Sequence, residues 1–191
     1  VHPDRIWRNS TGQAGDFLVL TKPLGSGTVT TGIKRGLVSD QVAAAAIQTM
    51  ATLNKAAAEG ATPVGIHAAT DVTGFALLGH AKEMADGAGL GLELDVAALP
   101  VMEGAWDTLE LGVVPGATQR NLDYFGTSAE WGSGVTMVQR QLVGDPQTSG
   151  GLLFAVEAAK VDALVAALID AGELSAAVVG RLTAEPGVRI S

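Results

Sequence analysis

Apolar positions along this 191-residue chain follow two spacings, and the switches between them mark the predicted elements. Asp16-Phe-Leu-Val-Leu-Thr-Lys22 is a short apolar run closed by Pro23, the signature of a buried strand. Leu90–Asp95 alternates as a strand, Gly150-Gly151 introduces another over Leu152–Val156, and Ala176–Leu182 is a last apolar strand. Val64–Ala69 reads either as a short strand or as an irregular approach to Thr70. Helical spacing occupies much of the remainder. A Thr-rich stretch after Gly25-Ser26-Gly27 predicts a helix to Arg35, with Gly36 as its stop. Ser39 or Asp40 can cap the next helix, which is expected to run to about Glu59 and stop at Gly60. Its Ile47, Met50 and Leu53 recur at i, i+3, i+6 and are expected to face the core. A helix from Phe75 to about Ala85 carries Leu77, Ala81 and Met84 on one stripe, and Asp86-Gly87-Ala88-Gly89 is expected to break it. Two short helices are predicted within Met102–Leu111 and Gln119–Phe125, and Thr127–Gly134 reads as a loop. Ala158–Ala171 predicts a helix with Val161, Leu164, Val165 and Leu168 inward, closed by Gly172.

Strands and helices mix without a regular βαβ beat, so the predicted fold class is α+β: a layered, mixed β-sheet flanked by helices. Residues 16–191 form one predicted domain. Residues 1–15 are polar and irregular, and read as an approach segment or linker from a missing amino-terminal domain. The chain starts at Val1 and is expected to be a piece of something longer, a processed natural N-terminus being the alternative. No signal-peptide core is visible and no apolar run approaches the ~20 residues of a membrane helix, so the expected location is cytoplasmic, without a membrane partner.

Composition narrows the chemistry. Twelve Lys+Arg against twenty Asp+Glu give a net charge of −8, and only eight residues are aromatic (Trp 3, Tyr 1, Phe 4), so no nucleic acid partner is expected. The absence of Cys excludes disulfides, thiolate metal sites and a cysteine nucleophile within the chain.

Three segments are richer in Gly, Thr and Asp than turns require. In Lys22-Pro-Leu-Gly-Ser-Gly-Thr-Val-Thr-Thr-Gly32, glycines let amides approach an anion, yet Ile33 stands where a phosphate-binding loop needs Lys; a plain strand-to-helix turn is the better reading. In Thr70-Asp-Val-Thr-Gly-Phe75, Asp71 precedes a helix and suits either Mg²⁺, which takes one or two carboxylates plus phosphates, or a helix cap. By spacing alone the cap leads. His80 reads as a packed core or interface histidine, and His67 has no acidic or histidine partner at a useful spacing. In Gly144-Asp-Pro-Gln-Thr-Ser-Gly-Gly151 a structural turn explains much, but Thr148 and Ser149 exceed a minimal turn and can offer hydroxyls to a phosphate. Ser149 is not set in a nucleophile elbow, since Gln147 precedes Thr148-Ser149.

These segments, in this order, resemble one family. Leu20-Thr-Lys-Pro-Leu-Gly25, Thr70-Asp-Val-Thr-Gly-Phe75 with Leu77-Leu-Gly-His80, and Asp145-Pro-Gln-Thr-Ser-Gly-Gly151 are similar to the carboxy-terminal half of selenophosphate synthetases (selenide, water dikinases). His2-Pro-Asp4 and Val114-Pro-Gly116 add to the resemblance, which extends to about Leu182. It implies an ATP-dependent kinase that makes selenophosphate from selenide, ATP and water, releasing AMP and phosphate, with Mg²⁺ and a monovalent cation such as K⁺. It implies a two-domain build shared with aminoimidazole ribonucleotide synthetase, thiamine monophosphate kinase and a hydrogenase maturation protein. The amino-terminal domain of that build carries the reactive Cys or selenocysteine, its nearby Lys, most metal ligands and the principal homodimer contact.

The same resemblance makes Asp71 a metal ligand rather than a cap, and gives Thr73, Gly74, Thr148 and Ser149 nucleotide-binding or cofactor-binding roles beside it. No residue of this half is implied to be catalytic, and the piece alone is expected to be inactive. Ala76 stands where family members usually have Gly, and a methyl on a helix there is expected to be tolerated. Two other readings remain: another ATP-dependent member of the same superfamily, or a non-catalytic interaction module.

Overall fold

A computed structural model describes residues 6–173 and 175–191. His2-Pro3-Asp4 lies outside the described residues, as does Leu174. Among the described residues the strands are β1 (Phe17–Leu20), β2 (Ala68–Asp71), β3 (Gly91–Leu94), β4 (Ala129–Trp131), β5 (Leu152–Val156), β6 (Ala177–Thr183) and β7 (Val188–Ile190). They form a single seven-stranded sheet in the order β2-β5-β1-β6-β3-β7-β4. The pairs β1–β5, β1–β6, β2–β5 and β3–β6 are antiparallel, whereas β3–β7 and β4–β7 are parallel, so the sheet is mixed as expected. Eight α-helices accompany it: α1 (Ser26–Lys34), α2 (Asp40–Ala51), α3 (Lys55–Ala61), α4 (Ala76–Ala88), α5 (Ala105–Glu110), α6 (Gly116–Phe125), α7 (Met137–Val143) and α8 (Val161–Asp170).

Strand alternation sends side chains to opposite faces, and each face builds its own core. Leu18 and Leu20 of β1, Leu153 of β5 and Leu92 of β3 meet Leu77, Leu78, Ala81 and Met84 of α4 on one face. On the other, Val19, Phe154 and Val156 are covered by Ala57 and Ala61 of α3 with Leu164 and Leu168 of α8. A small satellite of Val29, Ala46, Met102 and Ala105 holds α1, α2 and α5 together.

Several expectations need correction. The helix expected to run from residue 40 to Glu59 is broken at Thr52, whose backbone is extended (ψ 126°). The Lys22 ammonium takes the Thr52 carbonyl at 2.6 Å, and Asn54 donates to Gly150 O at 2.9 Å, so the junction is pulled toward the sheet. Gly60 is therefore inside α3 rather than a stop; a Cβ there would lie 3.1 Å from Ala167 O, so the glycine permits close approach to α8. Ile47 and Leu53 do not face the core but are 57% and 74% exposed, and Ala46 is the buried position of α2. α4 continues through Asp86-Gly87 and stops at Gly89, which adopts φ +70°. The predicted loop at 127–134 contains the edge strand β4, paired in parallel with β7. Residues 158–160 form a 3-10 turn before α8, in which Leu164 and Leu168 are buried and Val161 and Val165 are half-buried.

Candidate functional site

The sheet order brings the three Gly/Thr/Asp-rich segments to one corner of the molecule. Antiparallel β2 and β5 set Asp71 opposite Leu152, and Val72 N–H donates to Gly151 O at 2.9 Å. Thr21 N–H donates to Leu152 O at 3.0 Å, and Gln147 N–H to Thr73 O at 2.9 Å. Residues 21–28, 71–74 and 145–151 thus form one connected backbone unit.

Within it the 145–151 loop acts on the N-terminus of α1. Asp145 is fully buried, and its Oδ2 accepts from Gly27 N at 3.0 Å and Thr28 N at 3.3 Å. Gln147 Oε1 accepts from Gly25 N (3.1 Å), Ser26 N (3.2 Å) and the Ser26 hydroxyl (3.1 Å). These bonds satisfy the amides that a helix N-terminus leaves free. The amides of Gly25–Thr28 are therefore taken, and the first segment is the strand-to-helix turn that its sequence favoured. Burial pushes the Asp145 carboxyl up to about 7, against the opposing pull of Thr28 N–H, Gly27 N–H, Gln147 and Thr118. Loop and turn are far apart in sequence, so no local signal announces this cap.

Thr148 and Ser149, by contrast, have exposed side chains. Their backbone is fixed: Thr148 N–H donates to Ser26 Oγ at 2.8 Å, and Ser149 O accepts from Lys22 Nζ at 3.1 Å. Ser149 adopts φ +51°, a costly conformation for an L-residue that this clamp maintains. Lys22 itself is 3% exposed, and burial lowers its pKa, with Glu173 nearby acting in the opposite direction.

Asp71 ends β2 exposed, and its carboxylate has no hydrogen-bond partner among the described residues. It does not cap α4, whose N-terminus carries no side-chain cap; the residue at that position is Phe75. Its oxygens are free to ligate a cation. No group of three or more His, Cys, Asp or Glu able to hold a metal exists among the described residues. A lone hard carboxylate fits one corner of a Mg²⁺ shell completed by water and phosphate, and fits no all-protein site.

Thr73 lies partly buried with its hydroxyl 3.2 Å from His80 Nε2, while His80 Nδ1 lies 3.4 Å from Glu83. His80 is therefore a partnered histidine, as its sequence context suggested. Gly74 is exposed, and its carbonyl accepts from Asn121 Nδ2 at 3.0 Å. Asn121 donates also to Gly144 O at 3.1 Å, tying the 71–74 and 144–151 segments together. Sequence reasoning passed over Asn121 because both its partners are distant along the chain.

Two further corrections belong here. His67 does have an acidic partner: its Nδ1 lies 2.9 Å from both oxygens of Asp16, 51 residues earlier in the chain. The partnership arises from strand packing rather than spacing, and with the Thr11 hydroxyl on His67 O it pins residues 8–16 to the sheet. Ala76 opens α4 not with ordinary helical dihedrals but at φ +62°, where Gly fits without strain.

Beside Phe75 a groove of about 670 Å³ runs between α4 and α6. Phe75 and Tyr124 are 51% and 77% exposed on its walls, and Phe75 packs at a tilt against Phe125 with ring centroids 5.7 Å apart. Lys82 is engaged by Asp86 at 2.6 Å; Arg120 has no acidic partner among the described residues.

Residues 13–191 match the family described as AIR synthase related protein, C-terminal domain. The chain is 44% identical over 187 residues to a selenide, water dikinase of Carboxydothermus hydrogenoformans, covering 98% of this chain and 54% of that protein. It is 43% identical over 190 residues to the selenide, water dikinase of Pelobacter propionicus, covering 100% and 55%. The chain thus spans about half the length of the curated relatives it matches. Among solved structures, E. coli HypE superposes with a TM-score of 0.70 at 22% identity, over 96% of this chain and 48% of that one. Thiamine monophosphate kinase from Aquifex aeolicus gives a TM-score of 0.61 at 16% identity, over 98% and 54%. At those identities the structural likeness concerns the fold.

Proposed function

Since the chain belongs to the AIR synthase related family as its C-terminal domain, we propose that it is the carboxy-terminal half of a selenophosphate synthetase. In that reading the whole protein makes selenophosphate from selenide, ATP and water, releasing AMP and phosphate. Support comes from 40–44% identity to selenide, water dikinases through nearly the full chain. The observation that carries the local assignment is Asp71, an exposed carboxylate unclaimed by the fold, four residues before Phe75, which lines a groove of nucleotide-compatible size.

Asp71 would hold Mg²⁺, which supplies charge neutralisation to phosphoryl groups when bound. The chain's own residues position and exclude. Gln147 N–H holds the Thr73 carbonyl and Asn121 Nδ2 the Gly74 carbonyl, fixing the backbone that follows Asp71. Thr148 and Ser149 present hydroxyls on a backbone braced by Lys22 and Ser26, suited to accept and donate hydrogen bonds at a phosphate. Cytoplasmic location, a homodimeric whole protein, pairing with its own amino-terminal domain and K⁺ dependence complete the proposal. No helix of the described residues is long and apolar enough to cross a membrane.

The test is Asp71→Asn in the polypeptide that includes the preceding half. Production of AMP from ATP and selenide should fall roughly a hundredfold. The melting temperature should stay unchanged, because the Asp71 carboxylate has no hydrogen-bond partner among the described residues and caps no helix. Unaltered turnover would remove Asp71 from the metal site.

A further inference from the structure

We propose that Lys22 and Asn54 are positioning residues for the ATP-dependent reaction: together they hold the loop that presents the Thr148 and Ser149 hydroxyls, and so set how tightly phosphate groups bind there. The inference rests on the function proposed above and gives roles to two side chains that touch no substrate in that reading.

Four consecutive residues of this loop are each tied by a different partner. Thr148 N–H donates to Ser26 Oγ at 2.8 Å, and Ser149 O accepts from Lys22 Nζ at 3.1 Å. Gly150 O accepts from Asn54 Nδ2 at 2.9 Å, and Gly151 O from Val72 N–H at 2.9 Å. In their midst Ser149 adopts φ +51°, although its side chain is exposed and adds nothing to the core. Such a conformation persists only where its surroundings over-determine it, and it is characteristic of functional sites.

Both gripping side chains forgo cheaper local roles. Lys22 is 3% exposed, yet the hydrogen-bond partners of its ammonium are two neutral carbonyls, Ser149 O and Thr52 O. Glu173 nearby favours its charged form. An ammonium is expensive to withdraw from water, and an apolar side chain would fill the same corner without that cost. Asn54 stands at the N-cap of α3, where Asn ordinarily bonds a helix amide, but it makes no cap bond. Its Nδ2 goes to the loop instead, and its Oδ1 is left buried without a partner among the described residues. An unpaired buried oxygen destabilises a fold, so what both residues secure is the loop. They act in series: Lys22 withdraws the Thr52 carbonyl from α2, and Asn54 follows two residues after that break.

Hydroxyls that bond a phosphate equally in the ground and transition states contribute to KM rather than to kcat. The test is steady-state production of AMP from ATP and selenide by the polypeptide that includes the preceding half. Lys22→Met should raise KM for ATP roughly tenfold and leave kcat within about twofold. Asn54→Ala should raise KM roughly threefold, and it decides the matter if the lysine variant does not fold. Lys22→Ala should match Lys22→Met, and added propylammonium, which supplies the missing carbons and ammonium, should return KM toward the parent value. Tetramethylammonium, a cation without N–H donors, should not. Unchanged KM in folded variants with a lowered melting temperature would show a purely structural role and overturn the inference, as would a raised KM that propylammonium leaves unaltered. A parent polypeptide that forms no AMP from ATP and selenide would instead remove the proposed function, and this inference with it.

Discussion

Asp145 offers the most quantitative test of the physics at the candidate site. Its carboxyl is raised from 3.8 to about 7 because burial outweighs the four donors around it. In the folded chain it therefore keeps its proton through a range where the unfolded chain has released it, and rising pH favours unfolding. At up to about 1.4 kcal/mol per pH unit, this group removes about 3 kcal/mol of stability between about pH 5 and pH 8, levelling off above pH 7. Asp145→Asn freezes the protonated arrangement: the amide oxygen can accept from Gly27 and Thr28, and the NH₂ faces the Thr118 hydroxyl. Urea unfolding followed by circular dichroism, from about pH 5 to pH 8 at fixed ionic strength, compares the two proteins. The variant should be about 2 kcal/mol more stable at the acid end and about 4 kcal/mol more stable at the alkaline end. Glu173, also raised by burial, contributes a slope of the same sign to both and cancels in the difference. Parallel curves would refute the reasoning. A variant weaker than the parent at about pH 8 would show that the amides of α1 and its dipole hold Asp145 ionised instead.

Other substitutions test the remaining geometry. At Ala76, held at φ +62° and fully buried, Gly should change stability by less than about 1 kcal/mol, because relief of strain offsets lost burial and added chain freedom. Val at the same position should cost at least about 2 kcal/mol, read from the same unfolding curves. Gly60→Val should push α3 from α8 and lower stability by about 1–3 kcal/mol, with tryptophan fluorescence reporting the movement of Trp7 near Phe154. His67→Ala should release the segment pinned by Asp16, seen as faster amide exchange at Ala69, whose N–H is bonded to Arg8 O.

What the sequence disclosed depended on whether the deciding interaction was local. β1 is a short apolar run closed by Pro23, β5 one introduced by Gly150-Gly151, and α4 carries its buried stripe at helical spacing, so pattern alone located them. The end of α2 was hidden because Lys22, thirty residues earlier, withdraws the Thr52 carbonyl from the helix. β4 and β7 have only three residues each, too few for a period to register, and owe their existence to pairing with each other and with β3. α7 did carry a readable signal, the Thr136–Gln139 capping box, which the apolar pattern passed over. Around the site, the grouping of the three segments was legible as motif order. The division of labour among them was not: Asp145 and Gln147 serve the helix while Asp71, Thr148 and Ser149 face outward, and only tertiary contacts distinguish those roles.

The sheet order also has a temporal consequence. β1 is formed by residues 17–20, yet both its neighbours, β5 and β6, come from residues 152–183. During synthesis at about 5–20 residues per second, Leu18, Val19 and Leu20 would wait roughly 10–30 s before either edge of their strand finds its partner. For that interval the nascent chain displays an unpaired apolar strand, the feature most prone to intermolecular pairing. The α1–α2–α5 satellite can assemble early from contacts between residues 29 and 105, but the sheet cannot close until the last forty residues emerge. Ribosome-bound chains halted before residue 152 should accordingly recruit holdase chaperones, and chains halted with residue 183 exposed should release them.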